Sequence, residues 1–118
     1  MMMTGSRDDK DDVYCFVDDY IESFVCWDII LFFFHNPESL ETSDSLAARL
    51  GRHGDDVVTS VDHLTRKHML KRSAEGLTGY DPSPELADKV AFFIDALSDN
   101  TKRLSILGQV LMKGKVKP

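Results

Sequence analysis

The sequence predicts a mainly α domain of the α+β class, in which several helices surround one short antiparallel hairpin. Three observations predict it. Apolar residues recur at helical spacing through 13–35, 55–68 and 84–97. "LAARLGRHGDDVV" (46–58) reads as a short helix, a glycine turn and the start of a longer helix. "MLKRSAEGLTGY" (69–80) reads as two short strands around a turn near Glu75–Gly76. A chain of 118 residues suits one core. The domain is expected over 13–112, between a disordered acidic N-terminus (1–12) and a basic tail (113–118).

Each element has a local cause. Residues 13–35 are helical in pattern, with a break near Ser23, and Pro37 disfavours helix at Asn36. Within 24–34 only Asp28 is strongly polar, so this helix must be covered on nearly every face. Thr42 or Ser43 can cap the next helix, which carries Leu46, Ala47 and Leu50 on one face and stops at Gly51. The third is expected from Asp55 to His68, with Val57, Val61, Leu64 and His68 on one stripe. Asp55 is its expected N-cap, and Asp56 suits the helix dipole in the first turn. "SPEL" starts the next helix, with Ser83 as cap and Pro84 at the first helical position. A last helix is expected from about Asp99 to Met112.

Charge is unevenly spread along a chain of net −6 and pI near 5.0. Residues 1–48 hold eleven acids and two bases, net −9. Residues 49–72 hold six bases and three acids, net +3, and the remainder is balanced. The pI argues against a generally sticky nucleic-acid binder. The start "MMMTGSRDDKDD" has no apolar core for export, and two cysteines make no disulfide framework. A reducing cytoplasm is therefore expected. The longest unbroken apolar run, "IILFFF", falls far short of a membrane span.

Catalytic signals are absent from the sequence. No P-loop, Gly-x-Ser-x-Gly or dinucleotide fingerprint occurs, and His35, His53, His63 and His68 lack zinc-finger or His-x-x-x-His spacing. Neither enzyme, metal nor cofactor is expected.

"SLAARLG" followed by "VVTSVDHLTRKHMLKR" resembles the bacterial winged helix–turn–helix transcription regulators. The flanks "FHNPESLETSDSLA" and "YDPSPELADKV" extend the likeness over roughly residues 24–97. The resemblance implies a winged helix–turn–helix fold with a short two-stranded wing and extra N- and C-terminal helices. It also implies double-stranded DNA as a partner. One position departs from the family pattern: His68 stands where the family usually has a glycine, whose positive φ lets the chain turn into the wing.

With the Val57–Val61–Leu64 stripe inward, the opposite face of the third helix holds Asp55, Thr59, Asp62 and Arg66, flanked by Asp56 and His63. Asp62 and Arg66 have the spacing of an ion pair. The candidate DNA-binding residues are Arg52, Thr59, His63, Arg66, Lys67, Lys71 and Arg72. Against them stand three aspartates and an acidic wing tip at Glu75. The expected function is a dimeric DNA-binding transcriptional regulator; the alternative is a winged-helix protein–protein interaction module without DNA binding. A homodimer is expected through Phe24, Trp27, Leu31, Phe34, Leu107, Val110 and Leu111. The last helix has two apolar strips, Leu104–Leu107–Leu111 and Ile106–Val110, about 140° apart. Only one of them can close the chain's own core.

Overall fold

The computed structural model describes residues 13–116, with side chains as far as Lys113. The expected disordered segment 1–12 and the last two residues of the basic tail lie outside the described residues. Within them the chain is mainly helical with one two-stranded antiparallel sheet, an α+β arrangement. The order is α1 (13–20), α2 (Phe24–His35), α3 (Ser43–Leu50), α4 (Gly54–Arg66), β1 (Leu70–Arg72), β2 (Thr78–Tyr80), α5 (Pro84–Ala96) and α6 (Asn100–Val116).

The break expected near Ser23 separates α1 from α2. Ser23 is extended and its hydroxyl accepts from the Cys26 N–H, so a new helix begins there. Helix α2 is the centre of the core. Ile29, Ile30 and Phe33 are fully buried, and the helix contacts α4, α5 and β2. Trp27 is only 8% exposed and meets Phe93 of α5 edge-on, with ring centroids 5.6 Å apart. Phe16 of α1 reaches the same ring at 5.1 Å, so three helices share one aromatic cluster.

One expected interface residue is thereby corrected: Trp27 is buried within its own chain, while Phe24, Leu31 and Phe34 are partly buried against the core and keep part of their surface exposed.

Capping residues set the remaining helices. Thr42 and Ser45 form a reciprocal capping box at the start of α3, which ends at Gly51 in the left-handed conformation, φ +65°. Ser83 caps α5 ahead of Pro84. The Asp99 carboxylate accepts from the Lys102 N–H at the start of α6. Helix α6 runs past the expected end at Met112 to Val116. It is held to α1 by side chains. Gln109 donates to the Tyr14 carbonyl, and Lys113 Nζ donates to the Val17 and Asp18 carbonyls near the C-terminal end of α1, where a cation is favoured.

The hairpin pairs Leu70 with Tyr80, Lys71 with Gly79 and Arg72 with Thr78. Its turn is closed by Gly76 at φ +84° and by Ser73 Oγ, which accepts from the Glu75 and Leu77 N–H groups. On the other side of β2, Glu41 and Thr78 exchange both backbone hydrogen bonds, at 3.0 and 2.8 Å. The hairpin is thereby tied to the segment that leads into α3. A Cβ at Gly79 would come within 2.8 Å of Leu40 Cδ2, the end of an exposed side chain that would have to turn aside. No helix among the described residues is long and apolar enough to cross a membrane.

Candidate nucleic-acid interface

The site is built on α4 and the strand that follows it. Val57, Val61 and Leu64 are fully buried against α2 and α3 and fix the rotation of α4. The helix starts one residue before the expected position. His53, not Asp55, is the N-cap, and it makes no side-chain capping bond. Asp55 and Asp56 both lie in the first turn, where the dipole favours their charge. Thr59 is turned back on its own helix, its hydroxyl donating to the Asp55 carbonyl at 3.0 Å.

The helix also ends earlier than expected, at Arg66. The His68 N–H donates to the Thr65 carbonyl and the Met69 N–H to the Leu64 carbonyl, which together form a Schellman motif. His68 takes the left-handed position at φ +66°, a conformation that favours glycine. It is exposed, and Met69 fills the core position expected of it.

The seven candidate DNA contacts divide sharply. Arg52 is held by Asp28 at 2.7 Å, and Arg72 by Asp62 at 2.7 Å. The expected pair of Asp62 with Arg66 is therefore replaced by one that ties α4 to β1. Lys67 Nζ stands 5.7 Å from the centre of the Tyr20 ring. Among the described residues, Arg66 and Lys71 have no acidic partner within ion-pairing distance, and both are exposed. His63 is corrected outright. It is 8% exposed, with Nδ1 3.7 Å from the Glu22 carboxylate and Nε2 buried without a hydrogen-bond partner.

Two consequences follow for binding anions. The ion pairs of Arg52 and Arg72 are partly exposed, and such pairs contribute only about 0–1 kcal/mol, so a phosphate can displace the aspartate. The cations are also concentrated at one end. Arg66 ends α4, Lys67 is its C-cap, and Lys71 and Arg72 belong to β1, whereas Asp55 and Asp56 occupy the first turn of α4. On β1 the alternation of side chains sends Arg72 toward α4 and Lys71 to the opposite face, the side on which Leu40 packs at Gly79.

Sequence reasoning missed the flank of α4 on which Ser60 and His63 are buried. Glu22, Ser23 and Cys26 cover it and leave a cleft of about 300 Å³. The only signal was the break near Ser23, which brings the start of α2 close to α4.

A second residue supports the hairpin from behind. Glu41 is 5% exposed, yet its carboxylate accepts from Ser39, Ser45 and Arg49 at 2.7 to 3.0 Å. These bonds, Ser45 first, hold its carboxyl below the ordinary value of 4.5, against the burial that pushes the other way. No family model, curated protein or solved structure matches the chain.

Proposed function

We propose that the chain is a winged helix–turn–helix regulator that binds double-stranded DNA as a dimer. In this reading α3 and α4 are the helix–turn–helix, and β1 and β2 are the wing. The observation that carries it is the joint placement of the exposed face of α4 and the hairpin, whose shared end bears Arg66, Lys67 and Arg72, with Lys71 on the other face of β1. Phosphate contacts at that end hold the last turn of α4 against the duplex. Thr59 and Arg66 are the side chains on the exposed face with groups that can reach base edges. Arg52, once released from Asp28, supplies a further phosphate contact. Retention of a mixed-sequence duplex at low salt tests the reading directly: binding supports it, and no binding by the intact chain opposes it.

The dimer rests on α6. Its inward strip, Ile106 and Val110, is buried, while Leu104 and Leu111 are 66% and 53% exposed with Leu107 between them. Such a strip on a second copy is the natural cover, and twofold symmetry presents two α4 helices to a palindromic site. Val110 belongs to the chain's own core and leaves the interface; Met112, 59% exposed, joins it. Sedimentation equilibrium should give the dimer mass for the parent and the monomer mass for a Leu104→Glu, Leu111→Glu variant. A monomeric parent would remove the dimer from this reading.

One observation favours a second reading, a protein-binding winged helix. The exposed face of α4 carries Asp55, Asp56 and Asp62 beside Val58, which is 43% exposed. Acidic and apolar groups together suit a basic protein surface better than a phosphate chain.

A further inference from the structure

Asp62 lies between Thr59 and Arg66 on the exposed face of α4, and it differs from the other acids of that face. Its Oδ1 accepts from Arg72 of β1 at 2.7 Å. Among the described residues, neither Asp55 nor Asp56 has a cation within ion-pairing distance. Rigid neighbours fix both members of the Asp62–Arg72 pair. Val61 and Leu64, fully buried, set the rotation of α4, and Arg72 is paired with Thr78 in the hairpin. The Asp62 side chain is still 42% exposed, and Arg72 takes one carboxylate oxygen, so Oδ2 is left for a donor from outside the chain. The guanidinium offsets the charge of the carboxylate, which reduces the repulsion that an acid meets near phosphates. With five N–H donors, Arg72 can hold Asp62 and a phosphate together.

We infer that Asp62 is a base-selecting residue: its Oδ2 accepts from the N4 amino group of a cytosine in the major groove, with Arg72 as the residue that positions it. The inference rests on the DNA-binding reading of α4. The choice of base follows from what each edge offers. An ionised carboxylate can only accept hydrogen bonds. Guanine presents O6 and N7 and thymine presents O4, all acceptors, so both are rejected. Adenine has an N6 donor but sets the N7 acceptor beside it. Cytosine offers its N4 donor with no acceptor alongside on its own major-groove edge. The charge that opposes phosphate binding on this face thus becomes a source of sequence preference at the floor of the groove.

The test is selection of binding sequences from a library of randomised duplexes at low salt. The full chain, Asp62→Asn and Asp62→Ala are compared, each checked for folding by circular dichroism. The parent should enrich a motif with a fixed cytosine, and replacing that cytosine by thymine in a defined duplex should weaken binding about tenfold. Asp62→Asn keeps an oxygen for Arg72 and gains an amide donor, so the same position should change to adenine, whose N6 and N7 match an amide. Asp62→Ala should leave that position unselective and the rest of the motif unchanged. A parent motif without a fixed cytosine, or a cytosine kept by both folded variants, would overturn the inference and leave DNA binding standing. Retention of duplexes without any enrichment would do the same. No retention by the parent would instead overturn the DNA-binding reading, and the inference with it.

Discussion

The two ends of α4 are built from the same helix and do opposite things. Its first turn is acidic, lacks a capping side chain and faces a cleft whose other wall adds Glu22. Its last turn is basic, closes in a Schellman motif and leads directly into the hairpin, where Arg72 reaches back to Asp62. In both turns the charge has the sign that the helix dipole favours. What stabilises the isolated helix thus also polarises the surface. An anion is repelled from the helix start, the usual anion site, and drawn to the C-terminal end. The lesson is that a DNA-reading arrangement with this charge pattern must be anchored from the hairpin side.

The strongest way to break the contrast is to remove what both ends share. Leu64 is fully buried on the inward stripe and also accepts the Met69 N–H at the helix end. Leu64→Ala should cost about 2–5 kcal/mol in urea unfolding. If the cost is far smaller, the stripe does not set the rotation of α4.

Next in size is the support of the basic end. Glu41 joins the hairpin backbone to Ser45 and Arg49 of α3. Glu41→Gln removes an ionised acceptor from three donors and should cost about 1–3 kcal/mol at neutral pH. Its carboxyl is held below 4.5 in the fold, so its contribution is present above 4.5 and is lost as pH falls through the folded value. Unfolding curves taken from neutral pH to below 4 should therefore converge for parent and variant; a constant gap would remove Glu41 from this role.

A smaller effect separates the two ends in binding. Asp55→Asn and Asp56→Asn together should raise affinity for DNA several-fold, while the lost dipole contribution costs about 0.3–1 kcal/mol of stability per residue. Unchanged affinity would mean that the acidic end never approaches the duplex.

The smallest effects refine the helix ends. His53→Ser supplies the missing cap, and His68→Gly relieves the left-handed conformation. Each should stabilise by about 0.5–1 kcal/mol in thermal unfolding. A loss of stability at His68→Gly would show that the histidine makes a compensating contact.

Helix ends written in local chemistry were legible in the sequence. Ser83–Pro84–Glu85, Thr42, Gly51 and the break at Ser23 need only neighbours in the chain, and the hairpin turn at Gly76 is of the same kind. The candidate site was legible only in part. A helical wheel assigns one inward stripe, and the second buried flank of α4 exists because residues 22–26 fold over it. Such a wheel therefore turns His63 to solvent, where the fold buries it. The pairs Arg72–Asp62 and Arg52–Asp28 join residues ten and 24 positions apart, beyond any i,i+4 rule, and they reduce the free cations of the expected set. Trp27 looked like an interface residue because the aromatic partner that covers it, Phe93, lies 66 positions away.

The central claim is that the chain grips duplex DNA from the basic end of α4 and the hairpin. The salt dependence of that grip tests it most directly. Retention of a short duplex should be measured between about 50 and 200 mM salt for the parent and for an Arg66→Ala, Lys71→Ala variant. Both cations are exposed and have no acidic partner among the described residues, and folding of the variant is checked by circular dichroism. The account predicts binding that falls steeply with salt, and a slope of log affinity against log salt that flattens by about two units in the variant. No retention by the parent, or retention with the same slope in a folded variant, would contradict it.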